Sequence, residues 1–192
     1  MSARLPLGGS APVLVNIGCG LNKFEGYINV DAYGDPDVRH DLNVIPWPFE
    51  SNSVDGIMAW HVFEHLENWW GAFEECCRIL KPGGTVEIRV PHESSSSALT
   101  YRDHLRAFSL HSWFGTDFAV RSGTNAWASE QCVLPMKLVS VVEVPFREYN
   151  WMRYVPWMLK FCSKHMRNFI WEHRFLWKKG ARDEDRDHLL SV

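Results

Sequence analysis

The strongest constraint on this chain is a series of short apolar runs, each ending in a residue that can face a ligand. Residues 12–17 run into Gly18-Cys19-Gly20, and residues 27–31 end in Asp31. Residues 38–41 form a weaker run ending in Asp41, residues 54–59 lead into Trp60-His61, and residues 85–90 are closed by Pro91. Runs of this length suit strands buried on both faces. Between the fourth and fifth, positions 62, 63, 66, 69, 70, 73, 76, 77 and 80 are apolar at helical spacing. That spacing predicts a helix over 62–80, stopped by Lys81-Pro82-Gly83-Gly84. Residues 137–149 read as a sixth strand and 188–192 as a short seventh, with 92–100 and 115–131 as loops. The alternation predicts an α/β fold: a mostly parallel seven-stranded sheet flanked by helices, with ligands at the carboxyl ends of the strands.

Length and composition narrow the class. With 192 residues, 46% hydrophobic and 22% charged, the chain reads as one folded domain, 1–192. No apolar run reaches the roughly 18 residues of a spanning helix, and the first residues lack a signal-peptide core. Five cysteines without a Cys-x-x-Cys pair suit a reducing compartment, so a cytoplasmic location is expected. The net charge of -3 excludes a globally basic nucleic-acid coat, but it conceals a split. Residues 1–150 hold 11 basic against 18 acidic side chains, a balance of -7, and residues 151–182 hold eight against one, a balance of +7.

The strand ends carry the candidate chemistry. Gly18-Cys19-Gly20 is a tight turn that lets backbone approach a ligand. A dinucleotide site would want a third glycine where Lys23 stands and an acid about 20 residues on, whereas Asp31 follows Gly20 by only 11. An acid after the second strand can accept both hydroxyls of a ribose, and an acid after the third can meet the amine of an adenine. Six residues separate Gly20 from Tyr27, too few for a helix with its loops, so the first crossover must be abbreviated.

Taken together, Val15-Asn-Ile-Gly-Cys-Gly20, Ile28-Asn-Val-Asp31, His40-Asp-Leu42, Ser53-Val-Asp55, His61-Val-Phe-Glu-His-Leu66 and Arg78-Ile-Leu-Lys-Pro-Gly-Gly84 resemble the class I S-adenosylmethionine-dependent methyltransferases, especially small stand-alone bacterial and viral ones. The resemblance implies a Rossmann-like fold and S-adenosylmethionine as cofactor. It implies that Asn16, Gly18, Cys19 and Gly20 line the cofactor, Asp31 holds its ribose, and Asp41 and Leu42 flank its adenine. Trp60 and His61 would lie beside the transferable methyl. The absence of an Asn/Asp-Pro-Pro-Tyr-type motif at Trp60-His61 argues against amino methylation of DNA bases.

A second constellation is His61-x-x-Glu64-His65, whose spacing on a helix would bring three ligands to one face. With His104 as a fourth, the set His61, Glu64, His65 and His104 would hold a divalent metal. The arrangement resembles the Glu-x-x-Glu-His plus distal His pattern of two methyltransferase families. One acts on the terminal ribose of small RNAs and the other on catechol-like hydroxyls in ubiquinone synthesis. His61 in place of the first Glu tilts the preference from magnesium toward manganese, iron or zinc. Without a metal, Glu64 and His65 are simply helix-start residues. An oxygen acceptor must lose a proton, and His61, His92 and His104 are the candidate bases. Arg106 is a candidate for an anionic substrate group, and Ser94–Ser97 reads as a lid or a plain linker.

The expected reaction is therefore O-methylation of a small molecule, a sugar or a glycan. Methylation of RNA or another nucleic acid, and a non-catalytic module that keeps the cofactor fold, stand as alternatives. Residues 92–131 would form the substrate cap. The basic, tryptophan-rich segment 151–182 leaves open a helix packed on the sheet, a homodimer interface, a peripheral membrane contact, or a strand of single-stranded nucleic acid.

Overall fold

The computed structural model describes residues 11–113 and 134–180. Seven strands form one sheet: β1 (Leu14–Ile17), β2 (Ile28–Asp31), β3 (Val38–Arg39), β4 (Val54–Trp60), β5 (Leu80–Pro91), β6 (Met136–Pro145) and β7 (Ile170–Lys179). Their order is β3-β2-β1-β4-β5-β7-β6. Strands β1 to β5 pair in parallel. β7 is antiparallel to both β5 and β6, so it alone runs backwards and β6 points the same way as β5. The mostly parallel seven-stranded, Rossmann-like sheet expected from the sequence is thus present. Consecutive Ile57, Met58 and Ala59 are buried, so β4 is covered on both faces, whereas β5 buries mainly one face through Val86, Ile88 and Val90.

The order has one consequence for the site. β7 starts at the carboxyl edge, so its first residues face the end of β5: Glu172 pairs with Pro91 and His173 with Val90. The seventh strand is therefore Ile170–Lys179. The expected strand at 188–192 lies outside the described residues. The basic aromatic segment is also corrected. It is no single helix on the sheet but a 3-10 segment (Arg147–Tyr154), a helix (α3, Pro156–His165; the short α2 is Ser97–Thr100) and β7 itself.

The helix expected over 62–80 is interrupted. A 3-10 turn spans Phe63–His65, Leu66 is extended, and α1 (Trp69–Ile79) starts afresh. Asn68 causes the restart, because its side chain accepts from Gly71 N at 3.0 Å and caps the new helix. Glycine is needed there, since a Cβ on Gly71 would lie 2.3 Å from Asn68 Nδ2. α1 then buries Ala72, Phe73, Cys76, Cys77 and Ile79. Trp113 is the hub of an aromatic core, with ring centroids 5.1 Å from Phe73, 5.3 Å from Phe175 and 5.5 Å from Trp69 and Trp177. Much of the tryptophan content is consumed by packing of this kind. Glu75, inside α1, accepts from Trp47 N at 2.6 Å and from Arg78, tying the loop before β4 to the helix.

The first crossover is abbreviated, as the residue count requires. Residues 18–27 contain no helix, and a buried amide pair holds them instead. Asn16 Nδ2 donates to Asn29 Oδ1 at 2.9 Å and to Asn22 O at 3.1 Å. Asn29 accepts from Phe24 N and donates to Phe24 O, Tyr27 O and Asp37 Oδ2. Lys23 closes the loop on Asp37 at 2.7 Å. These bonds satisfy backbone groups that a helix would have satisfied internally.

Candidate functional site

The carboxyl edge opens into a cavity of about 460 Å³. Gly18, Asp31, Asp41 and Leu42 line one side, and His61, His65 and Asp103 the other. The turn after β1 has Gly18 at φ +63 and Gly20 at φ +51, a region that favours glycine. A Cβ on Gly18 would lie 2.4 Å from Val62 Cγ2, whereas one on Gly20 would meet nothing within 4 Å. Gly18 thus lets the turn close against Val62, and the space above Gly20 is free. Asp31 Oδ2 accepts from Gly20 N at 2.8 Å and Oδ1 from Tyr33 N at 2.9 Å. A carboxylate has about four lone-pair sites, so a fixed Asp31 keeps acceptor capacity for hydroxyls. Asp41 is fixed likewise, with Oδ1 accepting from Asn43 N at 2.9 Å. A cavity of this size, with an open glycine turn and two oriented carboxylates, fits a nucleoside-bearing cofactor.

Not every residue expected around the cofactor borders this cavity. Asn16 is buried in the amide pair with Asn29. Cys19 is buried too, and burial followed by Asp31 raises its thiol pKa. Gly20 touches the site through its bond to Asp31 rather than as a lining residue. Trp60 is sandwiched between Arg89, whose Cζ lies 3.4 Å over its ring, and Phe24. Tyr33, Asn43, Val62, Leu66 and Asp103 line the cavity and were not anticipated. Their contribution depends on loop geometry, which leaves no spacing signal.

The four proposed metal ligands separate into three and one. Glu64, His65 and His104 bring ligand atoms within 4.8 Å of one another. His61 is not in that group, a correction to the helical-face reading: at φ +55 it precedes the 3-10 turn instead of sharing its face. Its Nδ1 lies 3.1 Å from Glu64 Oε1 and its Nε2 2.9 Å from Glu172 Oε2. Burial alone would depress its pKa, but the bonds to Glu172 and Glu64 outweigh it and raise it to about 9. His61 is thus a charged clamp, with no free lone pair to act as a base.

The remaining three side chains suit a cation. Glu64 Oε2 and His104 Nδ1 are buried and make no hydrogen bond. His65 Nδ1 lies 3.0 Å from the carbonyl of Asp103, to which it donates, so the ring's lone pair is on Nε2. Oxygen and imidazole donors of this kind fit manganese, iron or zinc. His104 comes within reach because Leu105 N donates to Glu64 O at 2.8 Å.

The other expected contributors have different roles. His92 is buried, and its Nδ1 accepts from Ser94 N at 3.0 Å. Burial and then the adjacent His173 ring, 4.1 Å away, lower its pKa to about 4, so it is neutral but enclosed. His92, Glu93 and His173 form a second acid-imidazole group. Arg106 donates to Leu66 O at 2.7 Å, so it ties loop to loop instead of facing a substrate anion. Ser94–Ser97 is tied to the turn before β7, with Ser96 N donating to Asn168 Oδ1 at 2.6 Å and Asn168 N to Ser94 O at 3.1 Å. Of the cap, residues 114–131 lie outside the described residues.

The comparisons agree with this geometry. Residues 32–88 match the sequence profile of a methyltransferase domain. A probable S-adenosylmethionine-dependent methyltransferase of Mycolicibacterium smegmatis is 34% identical over 61 residues, which are 32% of this chain and 23% of that protein. The chain thus aligns with less than a quarter of that relative's length. Among solved structures, a SAM-dependent methyltransferase from Archaeoglobus fulgidus superposes with a TM-score of 0.57 at 17% identity, covering 88% of this chain and 86% of that one. The [4+2]-cyclase SpnF superposes at 0.55 and 11% identity, covering 90% and 76%. The fold is that of the class I S-adenosylmethionine-dependent methyltransferases, and the resemblance read from the sequence is borne out. The cyclase shows that this fold also serves other chemistry.

Proposed function

We propose that this chain transfers a methyl group from S-adenosylmethionine to an oxygen of a small molecule, sugar or glycan, with a divalent metal at Glu64, His65 and His104. The carrying observation is that one cavity joins the glycine turn, Asp31 and Asp41 to His65 and Asp103. Asp31 would accept the ribose hydroxyls, Asp41 the adenine amine, and Leu42 would pack on the base. The cofactor supplies an electrophilic methyl for in-line displacement, so the chain's task is alignment. A metal on the three ligands would lower the pKa of an acceptor hydroxyl and so take the place of a general base. His61, held between Glu64 and Glu172, offsets carboxylate charge beside the group.

Calorimetric titration with S-adenosylmethionine is expected to show one site, with affinity reduced at least roughly tenfold in Asp31→Ala, since charge-assisted bonds are lost. Metal analysis of the purified chain should find a transition metal that His104→Ala loses. No cofactor binding by the unaltered chain would end the methyltransferase reading. Full activity after chelation, with no metal retained, would end the metal part alone. Steeply salt-dependent oligonucleotide binding would instead favour a nucleic-acid acceptor.

A further inference from the structure

The segment between β6 and β7 carries features that the methyl-transfer site does not use. Residues 151–170 contain Arg153, Lys160, Lys164 and Arg167 and no Asp or Glu. Met152 and Cys162 are buried against the domain, whereas Tyr154, Trp157 and Phe161 are 89%, 73% and 55% exposed. Within α3, Trp157 and Phe161 are four residues apart and share one face. Pro156 and Lys160, one residue earlier, share the adjacent face and line a cavity of about 750 Å³ against β6. Arg153 adds positive charge to that cavity, Arg174 is paired with Glu172, Val141 and Leu159 add apolar wall, and Glu143 is the one acid among the described lining residues. An aromatic stripe therefore stands in water beside a cationic, partly apolar cavity.

We propose that this face docks on an anionic phospholipid bilayer. Tyr154, Trp157 and Phe161 would enter the headgroup layer, and Arg153 and Lys160 would draw a lipid phosphate to the mouth of the cavity. Tryptophan and tyrosine rings favour the boundary between headgroups and acyl chains, and Lys or Arg near it gains from anionic lipid. A second copy of the chain would set the same positive face against itself. The aromatics form a stripe beside the cations instead of alternating with them, which suits a layered boundary better than a run of stacked bases. Because β6 ends at the carboxyl edge, docking would hold the acceptor side of the domain close to the membrane surface. This goes beyond the methyltransferase reading and does not depend on it.

Co-sedimentation with phosphatidylcholine vesicles, with and without phosphatidylglycerol, tests the proposal on the full chain. Binding is expected only with phosphatidylglycerol and should weaken as salt rises. Trp157→Ser/Phe161→Ser and Arg153→Glu/Lys160→Glu should each partition roughly tenfold less, as expected when interfacial aromatics or surface charges are removed. Thermal melts and S-adenosylmethionine titrations of both variants identify any loss caused by misfolding. The proposal is overturned if the unaltered chain stays in the supernatant, binds neutral vesicles equally, or binds no less in either folded variant. Dimerisation or oligonucleotide binding that depends on Trp157 and Phe161, without vesicle binding, overturns it as well.

Discussion

Gly18→Ala is the most exacting test of how the cofactor turn is built. Alanine at φ +63 costs about 1–2 kcal/mol for the left-handed conformation alone. Its Cβ would lie 2.4 Å from Val62 Cγ2 and 2.9 Å from Cγ1, both on a buried side chain. Overpacking of this kind adds about 1–3 kcal/mol. Near the middle of these ranges, the loss is about 3.5 kcal/mol, or a fall in melting temperature of roughly 7–14 °C for a chain of this size. Val62→Ala removes the clashing methyls, so the double variant should be more stable than the sum of the single losses predicts. The coupling should be about 1–2 kcal/mol, leaving the conformational part unrelieved. Urea unfolding of all four proteins measures the cycle. A Gly18→Ala loss below about 0.5 kcal/mol, the noise of additivity, would refute the claim that Val62 and the turn require glycine. Additive losses would show that the contact with Val62 is not the cause.

Other perturbations read other parts of the molecule. Lys23, then the backbone and side chain of Asn29, lower the Asp37 pKa from 3.8 to about 2. Its contribution is therefore complete above pH 3.8 and is lost as pH falls through about 2. In acid titrations followed by circular dichroism, Asp37→Asn should differ from the unaltered chain at neutral pH and converge with it near pH 2. Glu75→Ala removes the acceptor for Trp47 N and leaves Arg78 without its carboxylate. A loss of about 2–4 kcal/mol in chemical denaturation is expected, toward the value for breaking a buried pair. A loss typical of an exposed ion pair would show that this bridge does not hold the loop.

What was legible in the sequence follows from how each element is stabilised. β1, β2 and β4 are buried on both faces and β5 alternates, so they announce themselves as apolar or alternating runs, while Gly18, Asp31 and Asp41 stand at or just after the ends of β1, β2 and β3. β7 hid because it buries Glu172 and His173, which bond to His61 and Glu93. A strand whose inward positions are charged, and whose partners lie 80 and 111 residues away, has no apolar period to read. The apolar spacing of 62–80 was real, but it spans two segments, because Asn68 begins a new helix within it. His61 parts from His65 for a different reason: at φ +55 it precedes the 3-10 turn, and its ring pairs with Glu172. The pairing of Asn16 with Asn29 was not legible, because it depends on two strands meeting in register.

The amide pair that replaces a first helix also determines which ligands the glycine turn can favour. A helix starting after such a turn would aim unsatisfied N–H groups and about half a positive charge at whatever lay above it, a ready seat for a diphosphate. Here the backbone after Gly20 spends its hydrogen bonds inside the loop, with Asn22 N donating to Cys19 O at 2.8 Å and Phe24 N to Asn29. Among the described residues lining that side of the cavity, the charged ones are Asp31 and Asp41. The turn is therefore electrically suited to a ligand whose nearby atoms are neutral or cationic, and it repels the phosphate chain of a dinucleotide.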